Sequence, residues 1–112
     1  MKERVYGAKT KVIIKRPDEK YGHVTNISTT LENLQKTVGG FIETVPAVNG
    51  AVIICNEEGK LRNLEPNMWY FHDRICGTII VIGTDGEDFT ECPMSFDQWK
   101  TFVDKQEELG PL

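Results

Sequence analysis

The segment from residue 66 to residue 74 carries the side chains best suited to bind a partner, because large apolar and aromatic residues run there into a histidine and an arginine. Trp69 or Tyr70 could stack on a planar ligand or on the surface of a partner, and Arg74 could pair with a phosphate or a carboxylate. These residue types predict a recognition loop. The alternative is a lid that packs over the sheet edge, buries Trp69 or Phe71 and leaves Arg74 solvated, and the usual burial of aromatic residues in small proteins favours it.

The candidate binding residues come from this segment and from the basic positions that precede it. A lysine or arginine beside an aromatic run would supply positive charge to an anionic group of a ligand. The residues predicted to contact a ligand or partner are Asn67, Trp69, Tyr70, His72, Arg74, Lys60 and Arg62. Lys36 is a further cation that we expect near the loop.

The potentially reactive groups lack a neighbour that would activate them. His72 precedes Cys76 by four residues, a spacing that would join imidazole and thiol on a helix, but the residues before Ile75 are typical of a loop that enters a strand. The sequence has no Ser in a G-x-S-x-G turn, no P-loop and no G-x-G-x-x-G motif. We therefore predict no catalytic residue and a protein that is not an enzyme.

The acidic and cysteine residues predict neither a metal site nor a disulfide framework. Carboxylates cluster at two predicted hairpin tips, Glu57-Glu58 and residues 85–88, but the spacing of a calcium loop is missing. Cys55, Cys76 and Cys92 are an odd number at wide spacing, so we expect each to be a small buried side chain in a strand. No metal and no cofactor is predicted.

Length and composition are those of an ordinary globular domain. The chain has 112 residues, 39% of them hydrophobic and 27% charged, so we expect a single domain over residues 1–112 with a flexible start at 1–9. Seventeen acidic against thirteen basic residues give a net charge of −4, which argues against duplex nucleic acid as a partner. We predict neither a signal peptide nor a membrane span, and hence a cytoplasmic protein without a membrane partner.

Hydrophobic periodicity and turn residues predict the elements of the first half. Strands are expected at 10–16, 23–27, 41–45, 51–56 and 61–64, with the favoured turn Asn49-Gly50 between the third and fourth. A helix should begin at a capping box of Thr29 and Glu32 and end at Gly39-Gly40. Its apolar face would carry Leu31, Leu34, Gln35 and Val38.

The second half predicts a central strand and a longer helix. Residues 75–84 form the most β-prone segment, and like 51–56 it lacks alternation, so the two should lie side by side with both faces covered. An edge strand at 89–92 and a helix that begins at the capping box Ser95/Gln98 follow. The predicted fold is α+β, an antiparallel sheet of about five or six short strands in one meander with two helices, one packed on a sheet face.

Several short motifs occur in a fixed order between residues 31 and 86. They are Leu31-Glu32-Asn33-Leu34-Gln35, Val38-Gly39-Gly40-Phe41-Ile42-Glu43, Asn56-Glu57-Glu58-Gly59-Lys60-Leu61 with Leu64 and Pro66-Asn67, and Ile75-x-Gly77 with Val81-x-Gly83 and Asp85. In this order they resemble DUF3846, a family of small proteins carried by bacteriophages and mobile elements of bacteria. The chain departs from the family pattern at Glu65 and in its longer N-terminus.

The resemblance implies a biological context and no activity. We expect a non-enzymatic phage or mobile-element protein that antagonises a host anti-phage defence system. It would do so either by occupying a host protein or by sequestering a small nucleotide signal in a pocket between protomers, and we expect a homo-oligomer. The alternative is a structural or regulatory accessory domain in a phage or plasmid complex, with no small-molecule ligand.

Overall fold

The structure is a computed structural model and describes residues 9–112. A flexible start was expected at residues 1–9, and of these only Lys9 lies within the described range. The elements in chain order are β1 (Thr10–Lys15), β2 (His23–Ile27), α1 (Leu31–Val38), β3 (Ile42–Pro46), β4 (Ala51–Asn56), β5 (Pro66–Tyr70), β6 (Asp73–Cys76), β7 (Ile79–Asp85), β8 (Asp88–Thr90) and α2 (Phe96–Leu109).

Six strands form one antiparallel sheet in the order β2-β1-β7-β4-β3, with β8 also paired to β7, and β5 and β6 form a separate hairpin. The α+β class and the six-stranded antiparallel sheet are confirmed, as is the pairing of the two central strands, β4 and β7. The single meander is wrong, because β1 pairs with β7 across most of the chain. β7 takes the central place since Ile79 to Ile82 are all fully buried and need cover on both faces.

Alternate residues of the central strands point to opposite faces of the sheet, and each face is covered by one helix. The core under α2 includes Ile13, Ile53, Val81, Trp99 and Phe102, and the core under α1 includes Val12, Ile54, Ile80, Leu34 and Val38. The sheet is therefore the middle of three layers, with the β5–β6 hairpin beside α2.

The first helix begins one residue later than predicted. Thr30, not Thr29, is the N-cap, and its Oγ1 accepts a hydrogen bond from the backbone N–H of Asn33 at 3.2 Å. With this start, Leu34 and Val38 point into the core, whereas Leu31 is 58% exposed and does not belong to the buried face. The predicted end is confirmed, because Gly39 has a φ of 84° and closes the helix.

Two predicted strands are also corrected. Residues 61–64 form successive turns instead of a strand, because Arg62 N–H and Leu64 N–H bond back to Glu58 O and Gly59 O. The segment 75–84 is split at Gly77, whose φ of +90° ends β6 before β7 begins. A Cβ at this glycine would lie 2.8 Å from Leu64 Cδ1, so both the conformation and the close packing require glycine.

The segment 66–74 is not a loop, since β5 and β6 pair across it as an antiparallel hairpin. Met68 is the buried side chain of this hairpin, at 2% exposure, and packs in the α2 core. Among the described residues, no helix has the length and the apolar character that crossing a bilayer requires.

Candidate functional site

The hairpin of residues 66–76, which we call the aromatic hairpin, places an arginine on an aromatic ring. Trp69 and Arg74 are directly opposite across the two strands, and the Arg74 guanidinium carbon lies 4.2 Å from the centroid of the Trp69 ring. An arginine stacked at this distance is attracted by the face of the ring and loses rotamer freedom before any partner arrives. Arg74 remains exposed, so the stack offers donors to a partner.

The tip of the aromatic hairpin is built from residues that the turn disfavours. Phe71 and His72 occupy the two central positions of a type I′ turn. Both have positive φ, at 46° and 71°. The chain uses the favoured Asn49-Gly50, at φ values of 55° and 81°, in the longer connection between β3 and β4. Left-handed conformations are costly for residues with a Cβ, and most of all for bulky ones.

The helix α2 holds this tip in place through its last turns. Buried Gln106 accepts a hydrogen bond from Phe71 N–H at 2.6 Å, and Glu107 accepts one from Trp69 N–H at 3.0 Å. His72 Nδ1 lies 3.1 Å from Gly110 O. Side chains of a helix thus satisfy the outer edge of β5 in place of another strand, which makes the hairpin a rigid platform.

Two of the predicted binding residues have bonds to backbone groups within the fold. Asn67 Nδ2 donates to Lys15 O and to Gly77 O, each at 2.8 Å, and ties the base of the hairpin to β1. Arg62 donates to Gly39 O at 3.1 Å, at the end of α1. Lys36 belongs to α1 and therefore lies on the sheet face opposite the aromatic hairpin.

Three other predicted residues meet in a cleft of about 470 Å³ between the β3–β4 hairpin and the aromatic hairpin. Tyr70, Arg74 and Lys60 line this cleft, and we call it the inter-hairpin cleft. The Tyr70 hydroxyl donates to Pro46 O at 2.7 Å, which joins the two hairpins across it. Lys60 forms an ion pair with Asp73 at the opening.

The thiol of Cys55 lines the same cleft and is held in its protonated form. Burial raises the pKa of Cys55 to about 11, and the negative charge of Glu43 and its hydrogen bond from the thiol, at 3.9 Å, act in the same direction. Because the thiolate is the nucleophilic form, this cysteine is a poor nucleophile near neutral pH. His72 is at the hairpin tip, whereas Cys76 lines the cleft at the other end of β6.

The charges around the inter-hairpin cleft are predominantly negative. Lys60 and Arg74 are its cations, and its carboxylates are those of Glu43, Glu57, Glu58 and Asp73. Since Asp73 neutralises Lys60, the excess of carboxylates opposes the entry of a polyphosphate and favours apolar or basic groups. Within residues 9–112, no group of three or more His, Cys, Asp and Glu side chains is arranged to hold a metal ion.

One protein-family model matches the chain over residues 10–104, and its description is a domain of unknown function, DUF3846. The chain belongs to the DUF3846 family. The match covers all of the sheet and most of α2, and so extends well beyond the motifs at 31–86. No curated protein and no solved structure gave a significant match to the chain.

Sequence reasoning missed the residues that support the site. Gln106 and Glu107 lie on a helix far from the aromatic segment in sequence, and Glu43 lies on a strand that ends at a proline. Gln106 could have been found from its position among the apolar residues of the α2 face, because an amide buried there must have a hydrogen-bond partner. No local signal points to Glu43, because its closeness to Cys55 depends on the register of β3 with β4.

Proposed function

We propose that this protein is a non-enzymatic binding protein that acts by docking the aromatic hairpin on a host protein. The observation that carries the proposal is the tip of that hairpin, where a 55% exposed Phe71 occupies a disfavoured backbone conformation beside the Trp69–Arg74 stack. Trp, Tyr and Arg are the residue types that dominate the binding energy of protein interfaces.

The backbone strain of this tip is offset only in part by contacts within the fold, because the Phe71 ring meets Tyr70 and Phe102 edge to face at centroid distances of 4.8 and 6.3 Å and is still 55% exposed. A left-handed conformation at a non-glycine residue costs about 1 to 3 kcal/mol, and the exposed half of the Phe71 ring gains nothing from burial. The Asn49-Gly50 turn of the same chain takes left-handed angles with residue types that tolerate them and exposes no aromatic ring. Strain that persists in a rigidly held segment is characteristic of binding and catalytic sites, and here no activated reactive group accompanies it.

A protein surface fits this hairpin better than a nucleotide does. One face of the Trp69 ring already carries Arg74, and the Tyr70 hydroxyl is bonded to Pro46 O. The carboxylates of the inter-hairpin cleft repel phosphates. An apolar pocket for Phe71 with a carboxylate for Arg74 would satisfy the exposed groups of the tip.

The family supplies the proposed context. We infer that a phage or mobile element makes the protein in the bacterial cytoplasm and that the host target belongs to an anti-phage defence system. Occupying such a protein requires a rigid surface and no turnover, in keeping with the protonated Cys55. A homo-oligomer would present several hairpins at once and raise the avidity for the target.

The proposal is tested by affinity purification of the tagged protein from bacterial cells, with the captured proteins quantified against matched variants. Trp69→Ala and Arg74→Ala should each remove the same host protein while the melting temperature changes by a few degrees at most. Lys36→Ala removes an exposed cation on the opposite face of the sheet and should leave the capture unchanged. Native mass spectrometry of the purified complex gives its stoichiometry.

Three results would contradict the proposal. The first is that the captured proteins are the same for wild type, Trp69→Ala and Arg74→Ala. The second is a bound molecule that absorbs near 260 nm and is lost with those variants, which would point to nucleotide sequestration. The third is turnover of a substrate by the purified protein, which would identify an enzyme.

A further inference from the structure

A second cavity, of about 330 Å³, lies on the other side of the aromatic hairpin and shares no residue with the inter-hairpin cleft. It is open to solvent and bordered by the end of β1, the turn at residues 17–20, the start of β5 and α2. We call it the Lys15 cavity after the side chain that distinguishes it. Its volume is near the lower end of the range of ligand pockets, roughly 300 to 1,000 Å³, which suits a small ligand.

Lys15 lines this cavity although it is only 2% exposed, a rare position for a lysine. Its Nζ donates to the backbone oxygen of Asn67 at 3.1 Å, and no carboxylate of residues 9–112 forms an ion pair with it. An ammonium carries three donors. Burial lowers the pKa of Lys15, and this effect exceeds the opposing attraction of Glu107, Glu19 and Asp18.

The Asn67 side chain lines the same cavity and has an unused acceptor. Its Nδ2 donates to two backbone oxygens, which sets the orientation of the amide. Its Oδ1 is buried and accepts no hydrogen bond from any described residue. Buried polar atoms without a partner are rare and costly, and Asn67 Oδ1 is such an atom. Lys15 Nζ has one hydrogen bond and is attracted by three carboxylates, so it keeps donors that a ligand could use.

The remaining charges of the Lys15 cavity are mainly carboxylates. Glu107 uses one oxygen to accept from Trp69 N–H, and the carboxylate of Glu19 accepts from Arg16 N–H and contacts His23 Nδ1. Asp18 and Lys20 complete the charged lining. A simple anion would be attracted by Lys15 and repelled by these carboxylates, so the lining requires a ligand that also carries a positive charge.

We propose that the Lys15 cavity binds a small zwitterion with a carboxylate and a primary ammonium group, which is the chemistry of an α-amino acid. The ligand carboxylate accepts from Lys15 Nζ, and the ligand ammonium faces the carboxylates of Asp18 and Glu107. Met68 and Val103 form the apolar wall for the ligand side chain. The cavity shares Asn67 and Met68 with the base of the aromatic hairpin, but its ligand is a different one from the partner proposed for the tip.

The test adds each of the twenty common amino acids to the isotope-labelled protein and follows its backbone amide resonances. At least one, at up to about 10 mM, should shift the amides of residues 15, 16, 18, 19, 67 and 68 in a saturable way. The matching amine without a carboxylate and the matching acid without an amine should each bind at least about tenfold more weakly, because each leaves one set of charges unpaired.

Two variants and a control locate the effect. Lys15→Met keeps the apolar stem and should weaken binding by at least about tenfold, whereas Lys36→Met on the opposite face should not change it. Asp18→Asn alters an exposed side chain, keeps the fold, and should weaken binding about threefold, which covers the case in which Lys15→Met does not fold. No saturable shift with any amino acid, or equal binding by the acid alone, or unchanged binding in both variants overturns the proposal.

Discussion

At the scale of single residues, Cys55 illustrates how surroundings decide the chemistry of a side chain. The thiol lies in a cleft that a ligand could enter, yet it is 5% exposed and its hydrogen bond runs to the carboxylate of Glu43. Burial and a neighbouring negative charge both disfavour the thiolate. The residue is therefore part of the wall of the cleft and not a nucleophile within it.

We predict slow alkylation of Cys55 with a steep dependence on pH. With a pKa of about 11, about one thiol in a thousand is ionised at pH 8, and the rate with iodoacetamide should rise about tenfold per pH unit up to about pH 11. Because the folded state holds this proton more tightly than the unfolded state, this group makes folding less favourable as pH rises from about 9 to 11. Peptide mass spectrometry measures the rate at each pH.

The control for this prediction is the protein unfolded in urea, in which the thiol is in water and should react at the rate of a cysteine peptide. Alkylation of folded Cys55 at pH 7 as fast as in the unfolded chain would show that the thiol is accessible and ionised. The cleft would then have to be considered as a site of thiol chemistry.

At the scale of elements, the aromatic hairpin is stabilised by groups outside itself. A two-stranded hairpin has marginal stability in water, and this one has both a strained turn and an exposed tip. Gln106 and Glu107 satisfy its outer edge, and Asn67 joins its base to β1. The conformation of the tip thus depends on α2, which allows disfavoured residues to be kept there.

We predict that exchanging the turn residues separates stability from binding. The double substitution Phe71→Asn with His72→Gly should raise the free energy of unfolding by about 1 kcal/mol, because relief of strain exceeds the loss of a half-exposed ring. Under the proposed docking function, the same variant should capture less of the host protein than the wild type does. Urea unfolding measures the first effect and affinity purification the second.

The matched control places the disfavoured pair in the other hairpin. Asn49→Phe with Gly50→His should lower the free energy of unfolding by about 2 kcal/mol, because φ is positive at both positions there and Asn-Gly suits this turn type. If the Phe71→Asn, His72→Gly variant instead unfolds at a lower urea concentration than the wild type, the tip residues stabilise the fold and the strain no longer argues for binding.

At the scale of the whole molecule, β7 couples the two cores. Ile79 and Val81 point to the α2 side of the sheet, whereas Ile80 and Ile82 point to the α1 side. Loss of either core therefore exposes one face of the central strand. A small domain with such shared strands is expected to unfold as one cooperative unit.

We predict that Leu34→Ala destabilises both cores together. Leu34 is fully buried on the α1 side, and its truncation should cost about 2 to 5 kcal/mol through lost burial and the cavity it leaves. Trp99 is buried on the opposite side and Trp69 lies on β5 beside α2, so tryptophan fluorescence reports the α2 side of the molecule. The fluorescence transition and the far-ultraviolet circular dichroism transition should move to lower urea concentration by the same amount; separate transitions would show that the cores unfold independently.

The sequence predicted those parts of the fold that depend on neighbouring residues. The Asn49-Gly50 turn, the capping box of Ser95 and Gln98 and the end of α1 at Gly39 are confirmed, because each depends on a few consecutive residues and their preferred backbone angles. The errors at Thr29 and at 61–64 arose where adjacent residues suit two local structures equally and packing selects one.

For the candidate site, the sequence determined which residues could bind, and the tertiary structure decided which of them stand together. Tyr70, Arg74 and Lys60 share a cleft because β3 and β4 lie against the aromatic hairpin, while Asn67 is committed to β1. The bonds between Asn67 and Lys15 join positions 52 residues apart, and no local pattern encodes them. Helix caps, turns and the alternation of strand residues follow from short-range sterics and hydrogen bonding. Clefts and buried cations depend on contacts between distant segments, and these contacts exist only after the sheet has formed.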